Sequence, residues 1–230
     1  MALKPSGSTA RHRTDALRAA ILSGELADAG RLLPERTLAE RLSVSRTQLR
    51  AVLADLAQEG LIFRRHGQGT FLQPPPAQGA ERLGVLARRA SPRDLMEVRR
   101  TLEPPLAALA AERATSADKA RLLRLMEETL QARDLASYER ADDIFHYKIA
   151  EMAGNAVFLT VFEEIRSLRQ AAEWTRSRQQ ALGTHEIARL SQQHTAIADA
   201  ICAGAPEAAK AAMQEHLADV GQLLDGRQDS

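Results

Sequence analysis

The chain has 230 residues, which is long for one hydrophobic core and enough for two domains. Hydrophobic residues make up 44% of it, charged residues 27% and aromatic residues only 3%, so we predict a globular, mainly α fold. Its only cysteine, Cys202, excludes an internal disulfide bond, and it contains neither a signal-peptide pattern nor the roughly 18 consecutive apolar residues that a membrane span needs. We therefore expect a cytoplasmic protein with no membrane partner.

The charge of the chain is distributed unevenly. Residues 1–76 hold 11 Lys and Arg against 7 Asp and Glu, a net charge of +4, whereas the remainder holds 20 against 23, a net charge of −3. A basic N-terminal part is typical of a nucleic-acid-binding domain. The run 74–76 consists of three prolines and forbids a helix. We predict an N-terminal domain at 1–73, a linker at 74–80 and a C-terminal domain at 81–230.

The N-terminal pattern predicts three helices followed by a β-hairpin. Leu17 and Ile21 form the apolar side of the first helix, and Leu38 and Leu42 that of the second. Ser45 is a suitable N-cap for the third helix, whose apolar residues follow helical spacing up to a terminal glycine: Leu49, Val52, Leu53, Leu56 and Gly60. Two β-prone segments, 61–63 and 70–72, flank a basic, glycine-rich turn. This order of elements is typical of a winged helix-turn-helix.

Polar side chains of the third helix point away from its apolar side. Helical spacing places Arg46, Thr47 and Arg50 there, where they are free to enter a DNA groove. Arginine can pair with guanine, whereas Ser45, Thr47 and backbone amides at a helix start suit phosphate oxygens. Arg36, near the start of the second helix, could reach the same groove. Any one of these arginines would more often be an ordinary solvated residue, but the assembled pattern favours DNA binding.

This N-terminal part resembles the winged-helix domain of GntR-type bacterial transcription regulators over residues 17–72. The resemblance rests on Gly24-x-Leu26, Glu35-Arg36-x-Leu38-Ala39-Glu40, Val44-Ser45-Arg46-Thr47, Arg50, Gly60-Leu61 and Gly67-x-Gly69-Thr70-Phe71. It implies base contacts by Arg36 and Arg46. It also implies that five further residues hold the DNA backbone or reach the minor groove: Ser45, Thr47, Arg50, His66 and Gly67.

Downstream of the linker, helical patterns follow one another with short breaks. Ser91-Pro92 begins one helix, Gly154-Asn155 interrupts another, and Gly204-Ala205-Pro206 separates the last two. We predict an all-helical bundle of six or seven helices.

Four ionisable residues lie on apolar helix faces of this bundle. Asp142 and His146 are four residues apart and share one face, while His194 and His216 each interrupt an apolar stripe of a later helix. Such groups are costly to bury unpaired, and three imidazoles with one carboxylate suit a first-row metal ion. One such histidine alone would more often be a hydrogen-bonded core residue, but the four together favour a metal. The other histidines lack this context: His12, His66 and His185.

A fifth polar residue, Arg99, lies on the apolar stripe of the helix that begins at Ser91-Pro92. An inward guanidinium needs an anion, and two are possible. One is Glu103, four residues on, which would make an internal ion pair. The other is the carboxylate of a ligand, in which case Arg99 binds an effector.

The C-terminal part resembles the FCD ligand-binding domain of FadR-type members of the same family over about residues 81–224. The matching segments are Glu97-x-Arg99-x-x-x-Glu103, Asp142-x-x-x-His146, Gly154-Asn155, His194-x-x-Ile197-x-x-Ala200-Ile201 and His216-Leu217. The resemblance implies a homodimer, a divalent metal ion and a small carboxylate or sugar acid as effector. Zinc is expected first among the metals, with nickel, manganese or iron as alternatives.

Together these features predict a non-enzymatic transcription regulator, a repressor that binds a double-stranded operator with pseudo-palindromic half-sites. A metal-dependent hydrolase or lyase is the alternative, because three histidines and a carboxylate could activate water. The sequence offers no well-placed separate base or nucleophile for that chemistry. A third interpretation is a structural DNA-binding protein of the nucleoid type, which would show little preference for particular DNA sequences and no response to an effector.

Overall fold

The structure, a computed structural model, describes residues 7–28, 30–65, 69–74, 80–169, 174, 178–179 and 181–225. The chain divides into two compact units, Met1–Pro75 and Pro76–Ser230. The predicted linker, 74–80, falls largely outside the described residues, so its conformation stays a prediction. No helix within the described ranges is long and apolar enough to cross a bilayer.

The first unit is a winged helix-turn-helix, as predicted. Its helices are α1 (Gly7–Leu22), α2 (Glu35–Arg41) and α3 (Arg46–Glu59), and its strands are β1 (Ala27–Asp28), β2 (Arg31–Leu32), β3 (Phe63–Arg65) and β4 (Gly69–Phe71). The strands form one antiparallel sheet in the order β1-β2-β4-β3. The sequence predicted only the β3–β4 hairpin, because two-residue strands such as β1 and β2 are too short to alternate visibly.

Helix α3 begins and ends where its sequence requires. The Ser45 side chain accepts a hydrogen bond from the Gln48 backbone N–H at 3.1 Å. Gly60 ends the helix with a φ of 82°, a left-handed conformation that glycine adopts without strain. The apolar residues between them are buried in the core of this unit: Leu49, Val52, Leu53 and Leu56. Burial of this one face leaves the opposite face of α3 to solvent.

Gly69 opens strand β4 at a position that only glycine fits. Its φ is 118°, and a Cβ placed there would lie 2.9 Å from Arg31 Nε. Strand β2 carries Arg31 and pairs with β4 at Phe71. The positive φ therefore favours glycine at this position, and a Cβ there would also have to displace the Arg31 side chain.

The second unit is helical throughout its described part and matches the predicted bundle. It contains α4 (Ala80–Ala87), α5 (Pro92–Arg113), α6 (Ser116–Gln131), α7 (Leu135–Met152), α8 (Ala156–Arg169), α9 (Thr184–Cys202) and α10 (Pro206–Asp225). Capping boxes start α5, α6 and α7, and glycines in left-handed conformation at 154 and 204 end the chain segments before α8 and α10.

The core of this unit lies between α5, α6, α7, α9 and α10, each of which packs against at least two of the others. Completely buried side chains come from each of them: Leu106, Leu122, Phe145, Ile197 and Met213. The four ionisable residues singled out above sit on the same inward faces, so the fold carries them into the middle of the bundle.

Candidate functional site

Three helices bring Asp142, His146, His194 and His216 together inside the second unit. Asp142 and His146 are one turn apart on α7, His194 lies on α9, and His216 lies on α10. Each is at most 1% exposed. One potential ligand atom from each lies within 4.8 Å of those of the others. The predicted grouping is therefore present, and we call it the metal centre.

Two of the imidazoles, those of His146 and His194, face the Asp142 carboxylate without hydrogen bonding to it. His146 Nε2 lies 3.6 Å and His194 Nε2 lies 3.5 Å from Asp142 Oδ1. Both nitrogens are buried and have no hydrogen-bond partner in the described part of the chain. The His194 and His216 ring centres are 4.6 Å apart. Buried polar atoms are normally satisfied, so these two unpaired nitrogens could serve as ligands of a metal ion.

The outer nitrogen of each imidazole has an acceptor on a neighbouring side chain. Nδ1 of His146 lies 2.6 Å from Glu103 Oε2, Nδ1 of His194 lies 3.2 Å from Thr129 Oγ1, and Nδ1 of His216 lies 3.1 Å from Gln193 Oε1. A carboxylate and an amide oxygen can only accept. Each acceptor therefore places the proton on Nδ1 and leaves the Nε2 lone pair for the centre.

The threonine also acts as an acceptor, because its hydroxyl proton is already used. Thr129 Oγ1 donates to the Met126 carbonyl at 2.7 Å, which leaves its lone pairs for His194 Nδ1–H. Gln193 is oriented in a similar way, since its amide Nε2 donates to Asp219 Oδ2 at 2.6 Å. All three imidazoles are thus held in the tautomer that binds metal through Nε2.

Burial favours the neutral imidazole at His194 and His216, which is the form that binds metal. Desolvation lowers the pKa of His194 to about 3 and lowers the pKa of His216 well below its usual value, with nearby imidazoles adding to the effect for His216. Burial would raise the pKa of Asp142, but Arg178 foremost among its charged neighbours brings it well below the usual range. At neutral pH these shifts favour neutral imidazoles at His194 and His216 and an ionised carboxylate at Asp142, the forms that bind metal.

The two oxygens of Asp142 face different surroundings. Oδ1 faces the histidines and lies 3.4 Å from the Tyr138 hydroxyl, which donates to it. Oδ2 accepts a 2.8 Å hydrogen bond from Arg169 Nη2 and lies 3.9 Å from Arg178 Nη2. The carboxylate thus separates a histidine side from an arginine side.

Arg99 forms the internal ion pair that the sequence left open. Its Nε donates to Glu103 Oε1 at 2.5 Å, and its Nη1 lies 3.9 Å from Met96 Sδ. Burial would raise the pKa of Glu103, but Arg99 and then His146 lower it. Because Glu103 also accepts a hydrogen bond from His146, Arg99 contacts the metal centre only indirectly, through Glu103. Its direct contact with an effector stays a prediction.

Two arginines of this site were not found from the sequence. Arg169 follows the apolar stripe of α8 at helical spacing after Phe162 and Ile165, so the same signal that singled out Arg99 could have found it. Arg178 lies between α8 and α9 in helical conformation and is 1% exposed. It is spaced helically from the buried residues Trp174 and Ala181, so the same signal could have found it. Neither the outward acceptors Thr129 and Gln193 nor their pairing could be derived from spacing alone.

Five of the predicted DNA-binding residues lie on or next to α2 and α3 of the first unit. Arg46, Thr47 and Arg50 are exposed on α3 and Arg36 is exposed on α2. Arg36 Nη1 pairs with Glu40 at 3.0 Å, and Arg50 Nε pairs with Glu35 at 2.7 Å. Ser45 caps α3, as predicted. The remaining two predicted contacts, His66 and Gly67, lie outside the described residues.

Two family models match the chain. One, described as bacterial regulatory proteins of the gntR family, matches residues 9–72, and the other, the FCD domain, matches residues 94–219 and so covers more than half of the chain. The chain belongs to the gntR family and carries an FCD domain. It is therefore a DNA-binding transcription regulator of this type.

Individual relatives within the gntR family are similar along most of the chain. The putative L-lactate dehydrogenase operon regulatory protein of Escherichia coli K12 is 35% identical over 90% of this chain and 82% of its own length. The transcriptional regulator LutR of Bacillus subtilis is 32% identical over 90% of this chain and 96% of its own length. Another relative, from E. coli Crooks, is the transcriptional repressor NanR, at 31% identity over 85% of this chain and 76% of its own length.

Solved structures share the fold. E. coli McbR/YncC has a TM-score of 0.52 at 20% identity, over 95% of this chain and 97% of that one. A gntR-family regulator from Pseudomonas syringae has a TM-score of 0.51 at 22% identity, over 99% of this chain and 89% of that one.

Proposed function

We propose that the protein is a repressor that binds, as a homodimer, a double-stranded operator with pseudo-palindromic half-sites. A small organic or sugar acid bound at a divalent metal ion in the second unit controls this binding. Zinc is the first candidate for the metal, and nickel, manganese or iron are the alternatives. The repressor NanR among the relatives supports the sign of the regulation.

The observation that carries the metal and effector part is the orientation of the imidazoles. Each Nδ1 has an acceptor, while Nε2 of His146 and His194 are buried without a partner in the described part of the chain. Three nitrogens and one carboxylate oxygen fit a divalent first-row ion. Such an ion would supply a positive, Lewis-acidic point for an oxygen of an acid. The chain's own residues would hold and orient it.

The exposed face of α3 supports the DNA-binding part. Arg46 is exposed at the start of α3, next to the capped N-terminus whose backbone amides favour phosphate. The ion pairs of Arg36 and Arg50 with glutamates are at the surface, where such pairs contribute only about 0–1 kcal/mol. Phosphate oxygens can therefore replace the glutamates at small cost when the surface meets a duplex.

The experiment compares His216→Ala with His185→Ala. His185 is exposed and lies outside the metal centre, so its variant controls for the loss of an imidazole. After zinc loading and desalting, metal content is measured by mass spectrometry. We expect wild type and His185→Ala to retain one zinc per chain. Loss of an outer-sphere partner lowers metal affinity roughly 10- to 100-fold, and loss of a direct ligand in His216→Ala should lower zinc affinity by more than that.

Operator control is tested on the same three proteins with a duplex selected in vitro from random sequences. Fluorescence anisotropy follows its binding while acetate, L-lactate and D-gluconate are added in turn. We expect at least one acid to weaken binding by wild type and His185→Ala, and none to affect His216→Ala. Equal metal content in all three proteins would refute the metal centre. An operator affinity that no acid changes would refute the effector part.

A further inference from the structure

Buried nitrogen atoms without hydrogen bonds concentrate around the metal centre. Seven such side-chain atoms in the described part of the chain belong to His146, His194, Arg169 and Arg178. The two histidine atoms are accounted for by a metal ion. The five guanidinium atoms are not, because a cation cannot accept their protons and would repel their charge.

Arg178 is the most poorly satisfied of these residues. It is 1% exposed, and none of its three nitrogens has a hydrogen-bond partner within the described residues. Its Nε lies 3.3 Å from Glu139 Oε1 and its Nη2 lies 3.9 Å from Asp142 Oδ2, so carboxylates balance its charge without accepting its protons. The guanidinium carbon lies 5.8 Å from the centre of the Tyr138 ring.

Arg169 presents its free donors beside the same carboxylate. Its Nη2 donates to Asp142 Oδ2 at 2.8 Å, while its Nε and Nη1 have no hydrogen-bond partner in the described chain. Both guanidinium groups therefore border Oδ2, whereas the histidine nitrogens border Oδ1. The arginine side of Asp142 holds donors that lack acceptors, next to the position of the metal ion.

The charges around the centre favour an anion. The arginines around the centre and the carboxylates that pair with them balance one another: Arg99, Arg166, Arg169 and Arg178 against Glu103, Glu139, Asp142 and Asp143. A divalent ion would therefore leave two positive charges in excess. Leaving buried donors unsatisfied costs free energy, and so does an uncompensated buried charge. A planar carboxylate supplies both a negative charge and two acceptors that match the fork of a guanidinium.

We propose that Arg178 binds the carboxylate of the effector, with Arg169 as a second donor. This inference rests on the proposed function and adds to it the residues that select the ligand class. The ligand is a small carboxylic acid whose carboxylate faces the arginine side of Asp142 and whose neighbouring oxygen, such as a 2-hydroxyl, faces the metal ion. Neutral amides of the same shape lack the charge and one acceptor, and bind poorly.

The experiment measures how well the zinc-loaded full-length protein distinguishes an acid from its amide. The probes are acetate, L-lactate and D-gluconate with acetamide, L-lactamide and gluconamide. Binding is followed by calorimetry and by the fluorescence of Trp174, the only tryptophan, whose ring centre lies 5.6 Å from the Arg169 guanidinium. The variants are Arg178→Gln, Arg178→Lys and, as control, Arg140→Gln, which removes an exposed arginine of α7.

We expect wild type and Arg140→Gln to bind at least one acid tenfold or more tightly than its amide. Arg178→Gln should bind that acid about 10- to 100-fold more weakly and lose the preference, because one charge-assisted, two-bond contact is gone. Arg178→Lys keeps the charge without the fork and should be intermediate. Zinc content is measured for each protein, so that a lost preference in a protein that retains zinc assigns the effect to the anion contact.

Three results would overturn the assignment. The first is an unchanged acid-over-amide ratio in Arg178→Gln. The second is a wild-type ratio in Arg178→Lys, which remains decisive if Arg178→Gln fails to fold. The third is equal weakening of acid and amide binding in both variants together with loss of zinc, which would make Arg178 a structural counter-ion of Asp142. A wild-type protein that binds zinc and operator but none of the acids would instead contradict the effector part of the proposed function.

Discussion

At the scale of single residues, Glu103 connects the two halves of the buried polar network. One of its oxygens accepts from Arg99 and the other from His146 Nδ1. Its pKa is lowered despite complete burial, because Arg99 and His146 both favour the carboxylate. Glu103 therefore sets the tautomer of His146 and at the same time compensates a guanidinium that is 0% exposed.

Glu103→Gln tests this positioning role. The amide keeps one acceptor but loses the charge that neutralises Arg99 and strengthens His146 as a ligand. We expect zinc affinity, measured by competition with a fluorescent chelator, to fall about 10- to 100-fold. Glu97→Gln, an exposed carboxylate on the same helix, is the matched control and should bind zinc like wild type. Equal affinities for both variants would contradict the role assigned to Glu103.

Arg46 is the residue on which the DNA-binding proposal depends most. Arg46→Ala should weaken operator binding by about 1–3 kcal/mol, roughly 5- to 150-fold, and relax the preference for one base position. The control, Arg124→Ala, removes an exposed arginine from α6 in the second unit and should leave binding unchanged. Anisotropy titrations with the selected operator and with single-base variants measure both effects. Unaltered base preference in Arg46→Ala would argue against base contact.

At the scale of elements, helix α8 has two contrasting faces. Its buried face ends in Arg169 at the metal centre, whereas Val157, Phe158 and Val161 are exposed. A groove of about 650 Å³ between α5 and α8 is lined by Val98, Leu102, Phe158 and Val161 among others. This groove is separate from the metal centre.

Exposed apolar residues concentrate around this groove. Six of the nine large hydrophobic side chains exposed in the described chain lie on three helices, α4, α5 and α8: Val85, Leu86, Val98, Val157, Phe158 and Val161. Helices α4 and α5 both pack against α8, so these residues belong to one face of the second unit. A contiguous apolar face is typical of an interface, and we propose that a second copy of this chain covers it in the homodimer.

Val161→Glu should dissociate this dimer. A carboxylate in the middle of an apolar interface would be desolvated without a partner, so the two copies should bind each other much more weakly. Sedimentation velocity across a concentration series measures the association. Leu130→Glu places the same charge at an exposed leucine of α6 and should leave the assembly as in wild type. A Val161→Glu protein that sediments like wild type would place the interface elsewhere.

At the scale of the whole molecule, the proposed function requires coupling between the two units. A regulator whose operator affinity changes with a bound acid must, by thermodynamic linkage, show an acid affinity that changes with bound operator by the same factor. Typical couplings are about 5- to 150-fold. The requirement holds whatever motion connects the units.

Acid titrations with and without saturating operator test this coupling. The change in Trp174 fluorescence reports binding, since this tryptophan is buried beside Arg99 and Arg169. If an acid weakens operator binding by a given factor, saturating operator should weaken acid binding by that factor. A scrambled duplex at the same concentration is the control. An acid affinity that is indifferent to operator would identify that acid as a ligand without regulatory effect.

The sequence by itself determined the features that depend on local spacing. The winged helix-turn-helix, the bundle of helices and the inward position of Asp142, His146, His194 and His216 follow from helical periodicity, capping residues and glycines, all of which act over a few positions. The metal-centre residues could be grouped because each interrupts an apolar stripe, and an apolar stripe must face the core.

Only the tertiary structure decided how these residues are connected. That Thr129 and Gln193 orient two histidines, and that Arg178 lies buried beside Asp142, depends on side chains brought together from distant parts of the chain. Spacing offered the pair of Arg99 with Glu103 as one of two possibilities, and the packing around them decided for it. Local spacing specifies which face of a helix turns inward, whereas the packing of helices against one another decides which atoms meet there.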